Sequence, residues 1–263
     1  MKLACQEHIL PRDDILEKWE FAASAGFDGI ELRGTEGWRE RLDDLRAARD
    51  QGVVFSSVCL IHDRFIGDFD AKRRRDAVEH MKSLLSGIAE LGGVGAITPA
   101  AYGLASKRLP PFEVPRTEEE DRRVLLHALE ELGEHADGEG TLVLLQPLNR
   151  YEDHMLNRLD QAAELSKAVG RNSVKVMGDL FHMNIEEDDP AESIRRADGY
   201  LAHVHLADSN RLQPGAGHTD FASAFEALRD TRFQDYLAME CRIRGDAAAV
   251  LPRVVRSLRS LMR

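Results

Sequence analysis

Eight short apolar runs, rich in β-branched residues, recur along this chain with longer amphipathic segments between them. The runs fall at 2–8, 29–33, 53–60, 96–100, 141–147, 174–179, 201–207 and 236–241. Strand-like runs that alternate with helical patterns imply parallel pairing through right-handed crossovers. Eight such units predict a closed (β/α)₈ barrel spanning residues 1–263 as one domain, and 263 residues is close to the usual size of that fold. The intervening segments read as helices. One at 13–25 ends at Gly26, a C-terminal stop signal. Another at 73–91 places Val78, Met81, Leu84, Leu85 and Ile88 on one face. Segments 118–135, 160–169, 221–228 and 247–262 follow the same pattern. An open doubly wound sheet is the competing arrangement, but its glycine fingerprint is missing: the first strand leads into ACQEHILP. Residues 102–116, with three prolines, predict a long loop after the fourth strand.

Composition narrows the partners. Apolar residues make up 43% of the chain, enough to fill a large core. The net charge of −11 disfavours nucleic acid, whose phosphates need clustered Lys and Arg. No apolar run approaches a bilayer span, so no membrane partner is expected. Cys5, Cys59 and Cys241 are odd in number and far apart, which indicates a reducing, cytoplasmic setting rather than a disulfide framework. The N-terminus does not read as a signal peptide.

Barrel chemistry gathers at the carboxyl ends of strands. In TLVLLQ, Leu142, Leu144 and Gln146 share one face, and Val143 and Leu145 share the other. The sixth strand ends at Asp179 with His182 just beyond; the seventh carries His203 and His205; the eighth carries Glu240. Four consecutive strands therefore present Gln146, Asp179, His205 and Glu240 at their inner ends. Buried carboxylates need a partner. A divalent cation is one, and oxygen donors with one imidazole suit Mn²⁺ first, with Mg²⁺ or Co²⁺ as options and Zn²⁺ also open. The plainer alternative pairs Asp179 and Glu240 with Arg211 or Arg242 and binds no metal. Asp179 also fits as a helix cap. His203, one layer deeper, reads as a support for the ligands. Arg211 has Asp208 and Asp220 as alternative partners. The glycines of PGAGHTD suggest a tight turn, or weakly a phosphate cradle. Trp38 is a candidate for either core or pocket.

The pieces PLNRYEDHMLN at 147–157, DLFHMNIEE at 179–187, HVHLADSNRLQPGAGHTDF at 203–221 and MECR at 239–242 resemble the sugar phosphate isomerase/epimerase family, the xylose isomerase-like TIM barrels. FDGIELRG at 27–34 has the same look. Within that family the chain is most similar to the ketose 3-epimerases that act on tagatose and allulose. The resemblance implies a metal held at Gln146, Asp179, His205 and Glu240, and substrate gripped by Glu152, His182 and Arg211. It implies a small sugar as substrate, proton abstraction through an enediolate, and a homo-oligomer as an option. Position 146 departs from the pattern, since the family has a Glu there that serves as one of two proton-transferring groups. An amide can lend its oxygen to a cation but cannot act as a base near neutral pH. Three accounts stay open: an inactivated variant, an enzyme with one-base chemistry such as isomerisation or β-elimination, or lost catalysis. Three further functions compete: a keto-sugar lyase or dehydratase, a non-catalytic sugar-binding protein, and an abasic-site endonuclease, the last opposed by the acidic charge.

Overall fold

A computed structural model describes residues 1–104 and 114–263. The eight strands are β1 (Lys2–Gln6), β2 (Gly29–Gly34), β3 (Phe55–Leu60), β4 (Gly95–Pro99), β5 (Leu142–Gln146), β6 (Val174–Asp179), β7 (Leu201–Leu206) and β8 (Tyr236–Met239). All pairs are parallel and the order closes on itself, with Lys2 beside Tyr236 and Ala4 beside Ala238. The expected (β/α)₈ barrel is the observed one, with strand ends shifted by a residue or two. The predicted loop at 102–116 falls largely outside the described residues.

The helices are α1 (Ile15–Ala25), α2 (Leu42–Asp50), α3 (Ala71–Glu90), α4 (Glu118–Glu139), α5 (Leu159–Val169), α6 (Leu180–Glu186), α7 (Pro190–Arg196), α8 (Phe221–Asp230) and α9 (Ala247–Leu261). Their ends have local causes. Asp14 accepts the Leu16 and Glu17 amides at the start of α1, and Gly26 closes it with φ 98°. Thr117 and Glu120 form a reciprocal capping box on α4. Sequence reasoning did not single out α2, α6 or α7. Each is short, and α7 is marked only by its Asp189 cap and Pro190 in the first turn.

Two apolar layers hold the barrel. The larger lies between strands and helices and contains Ile30, Leu32, Val58, Val143, Leu145 and Val176. A smaller inner cluster contains Cys59, Ile97, Leu144 and Met177. The alternation expected for β5 is therefore the observed one. Trp38 belongs to the core: it is 1% exposed, and its Nε1 donates to the Ser83 carbonyl at 3.1 Å. Cys5, Cys59 and Cys241 are free and buried.

Strand β4 begins at Gly95 because β5 runs too close for a side chain. A Cβ there would stand 2.2 Å from the Leu142 carbonyl oxygen. Gly95→Ala is therefore expected to destabilise the barrel by about 1–3 kcal/mol, the usual cost of forcing extra bulk into a packed interior. Urea unfolding would show this as a lower midpoint with an unchanged slope.

Candidate active site at the carboxyl ends of the strands

A cavity of about 210 Å³ opens at the carboxyl end of the barrel, lined by Gln146, Glu152, His182, Arg211 and Glu240 among others. Tyr102, Phe65, Leu148 and Ile61 supply its apolar walls. Asp179 and His205 lie at its floor, 2% and 0% exposed. All seven residues singled out from the sequence thus converge on one place.

Strand register explains the convergence. A register shift between Val176 and Met177 sets Asp179 level with His205 across the β6–β7 pair. His205 in turn pairs with Ala238, which leaves Glu240 just past the end of β8. His205 Nδ1 is 2.9 Å from Glu240 Oε2 and 3.8 Å from Asp179 Oδ2. One donor atom from each of Asp179, His205 and Glu240 lies within 4.8 Å of the others. Gln146 Nε2 donates to Asp179 Oδ2 at 3.2 Å. Among the described residues no arginine forms an ion pair with Asp179 or Glu240, so the metal-free pairing with Arg211 or Arg242 is not what the fold builds.

This donor set fits a divalent cation. Two carboxylates face one imidazole, and among the described residues neither ring nitrogen of His205 makes a hydrogen bond of proper direction despite the short contacts. Burial alone would lower the basicity of His205, but the carboxylates of Glu31 and Glu240 outweigh it and hold the ring well above its ordinary value. Burial likewise opposes ionisation of Glu240, and His205 outweighs it, so the Glu240 carboxyl sits below the usual range.

Asp179 serves two ends at once. Its Oδ1 caps α6 by accepting the Phe181 and His182 amides at 2.8 and 3.4 Å, while Oδ2 faces the site. The capping and ligand readings are therefore compatible. His182 is oriented by Asn149, whose backbone N–H donates to Nδ1 at 3.0 Å. The ring proton then belongs on Nε2, which is 3.6 Å from Asp179 Oδ2 and has no hydrogen-bond partner among the described residues. Arg211 pairs with Glu152 at 2.8 Å and stacks over the Phe181 ring at 4.8 Å. Asp208 and Asp220, its alternative partners from the sequence, are engaged elsewhere. Arg211 is held at φ 58°, a left-handed backbone conformation that its surroundings must maintain. Its N–H donates to the Asp208 carbonyl, and its own carbonyl accepts from Arg242 N–H.

The glycine-rich turn does not present a phosphate cradle. Its amides point at Asp208, which accepts from Ser209, Gly215 and Thr219 at 2.8, 2.8 and 3.0 Å. Burial pushes the Asp208 carboxyl up, but these backbone amides outweigh it and the acid stays below its ordinary range.

Sequence reasoning missed Gln6 and Glu31, which are 1% and 0% exposed beneath the cavity. Glu31 Oε2 accepts from Ser57 Oγ at 2.7 Å and lies 2.8 Å from His203 Nε2, which fits the supporting role expected of His203. A signal existed: Glu31 sits between Ile30 and Leu32 in a strand whose apolar residues face outward. Asn149 was also missed, and nothing in its local sequence marks it.

The neighbouring Asp153 is wholly buried, and that burial raises its carboxyl from 3.8 to about 7, against the opposing pull of backbone amides such as that of Met155. The folded state therefore holds a proton that the unfolded chain releases between these two values. The stability due to Asp153 is full below pH 3.8 and is lost as pH rises to about 7. At about 1.4 kcal/mol per pH unit, the loss is on the order of 4 kcal/mol. Denaturant midpoints measured from pH 4 to 8 are expected to fall less steeply in Asp153→Asn.

A family profile described as xylose isomerase-like TIM barrel matches residues 19–261. The chain belongs to that family. Among its relatives is the 3-dehydro-D-guloside 4-epimerase of Escherichia coli (strain K12), 38% identical over 250 residues that cover 95% of each chain. The D-psicose 3-epimerase of Enterocloster bolteae is 33% identical over 83% of this chain and 73% of its own. A crystal structure of 3-keto-D-glucoside 4-epimerase from E. coli superposes with a TM-score of 0.93 at 37% identity, covering 99% of both chains. This xylose isomerase-like barrel is thus an enzyme of the isomerase and epimerase class. None of its described helices is long and apolar enough to cross a membrane.

Proposed function

We infer that this enzyme is a divalent-cation-dependent epimerase or isomerase of a keto sugar, either a free ketose or a 3-keto glycoside. The carrying observation is the closeness of Asp179, His205 and Glu240 donor atoms, within 4.8 Å of one another, on the floor of a cavity walled by Gln146, Glu152, His182 and Arg211. Asp179, His205 and Glu240 would hold the ion, with the Gln146 amide oxygen as a further donor. Carboxylate, amide and imidazole donors favour Mn²⁺, with Mg²⁺ or Co²⁺ as substitutes. When bound, such an ion polarises a carbonyl oxygen and makes the adjacent C–H more acidic.

The remaining work falls to side chains of this chain. Glu152 and Arg211 bind hydroxyl groups, and the His182 Nε2–H donates to a substrate oxygen. Glu240 opens to the cavity with 19% of its side chain exposed, and takes the proton from the carbon beside the carbonyl. Removal leaves an enediolate. Inversion requires a proton delivered to the opposite face, and the amide of Gln146 has none to give. Glu240 therefore returns its proton to the face it came from more often than inversion occurs. The three unpaired, buried thiols support a reducing, cytoplasmic setting.

The amide at 146 also favours a second reading, β-elimination from the same carbanion, with Glu240 as base and His182 as the acid beside the leaving group. Purified protein with Mn²⁺ in D₂O distinguishes the cases. D-Psicose, L-ribulose and a 3-keto glucoside would be followed by proton NMR. Loss of the C–H signal beside the carbonyl is the expected result. Release of water or an aglycone instead would establish elimination, and no exchange on any of these would defeat both readings.

A further inference from the structure

We propose that Gln6, anchored by Glu31, is the positioning residue for the Glu240 base. The Gln6 side-chain NH₂ has two hydrogens, and each goes to a different carboxylate. Nε2 donates to Glu31 Oε1 at 2.9 Å and to Glu240 Oε1 at 3.0 Å. Glu31 cannot drift, because Ser57 and His203 hold its other oxygen. Gln6 and Glu31 are register partners on β1 and β2, so the pair belongs to the rigid barrel wall. Glu240 lies past the end of β8, where no strand pairing fixes its side chain. The tether supplies what the strand does not. With Oε1 held by Gln6, Oε2 is the oxygen 2.9 Å from His205 Nδ1.

The same unit reaches His205. Glu31 Oε1 lies 2.9 Å from its Nε2, opposite the nitrogen that faces Asp179 and Glu240. By its charge, since the contact is not a directed hydrogen bond, a carboxylate there favours a proton on Nε2 and leaves Nδ1 to face the cation site. It also raises the donor strength of the ring, as carboxylates behind metal-binding histidines do. In a site whose fourth position is a neutral amide, this buried charge matters more than it would beside another carboxylate.

The inference rests on the cation-site reading, and its test does not depend on turnover. Metal-free protein is titrated with Mn²⁺ alone, with free Mn²⁺ read by electron paramagnetic resonance. Gln6→Leu keeps the bulk and removes both donors. It is expected to bind Mn²⁺ about 10–100-fold more weakly, and to lower kcat for C–H exchange over a similar range while KM changes little. A merely structural Gln6 would lower the melting temperature and leave that kcat-to-KM split unmoved. A folded Gln6→Leu protein with Mn²⁺ affinity within about threefold of the parent, against the 10–100-fold expected of such supporting groups, overturns the proposal. If Gln6→Leu does not fold, Gln6→Met, which also keeps the length and removes both donors, takes its place, and the same two affinity ranges support or overturn the tether. Weaker Mn²⁺ binding in the variants beside a parent that exchanges no C–H would defeat the epimerase reading and leave the tether standing.

Discussion

Glu240→Gln is expected to lower C–H exchange on any accepted keto sugar by about 10²–10⁴-fold, the range associated with one positioned proton-transfer group. The substitution keeps an oxygen that can face a cation and keeps the length of the side chain. It removes the negative charge and, with it, the basicity. Glu240 is suited to the base role because its carboxyl is held ionised: burial opposes the charge and His205 outweighs the burial. It is also a carboxylate of the floor that opens into the cavity. Exchange measured at saturating Mn²⁺ separates lost basicity from weakened ion binding. A rate within about tenfold of the parent would place the base elsewhere, since even the low end of the expected range exceeds that.

Gln146→Glu is expected to act in the opposite direction, raising epimerisation by about 10²–10⁴-fold while C–H exchange changes far less. In the parent, exchange without inversion is the expected outcome of the proposed chemistry, because the amide cannot carry a proton to the second face. In the variant, a second carboxylate stands across from Glu240. The cost is electrostatic. The amide N–H that now donates to Asp179 at 3.2 Å would be replaced by a like charge facing it. Without ion the variant should therefore melt lower than the parent, and with Mn²⁺ the gain in melting temperature should be larger, since ligand binding stabilises in proportion to affinity. Product stereochemistry by NMR, beside melting curves with and without Mn²⁺, checks both halves. If inversion is no faster, residue 146 is not where the second proton comes from.

Much of the site was legible because barrel strands obey two simple periods. A polar residue that ends an alternating run must project inward at the rim, and Gln146, Asp179 and His205 all satisfy that rule. Glu240 satisfies it one step beyond the end of β8. Glu152 and Arg211 lie on loops and His182 in the first turn of the short helix α6, where the strand period does not apply, and only the resemblance to the epimerase family gave them a substrate role. Gln6 and Glu31 were legible in principle, as polar residues on the inward face of β1 and β2, but their importance was not. It arises from partners 25 and 234 positions away in sequence. The Asp208 turn misled for a related reason, since glycine amides look equally available for a phosphate or for a carboxylate of the same chain.

The order of strands, the closure of the barrel and the set of polar side chains at its rim were determined by the sequence alone, because hydrophobic periodicity is local and each unit reports its own secondary structure. The tertiary structure decided which of those side chains touch: that Asp179 is level with His205, that Arg211 meets Glu152, and that one amide of Gln6 joins two carboxylates. Such contacts depend on register shifts and strand tilt, which accumulate around a closed sheet and leave no trace in any single segment.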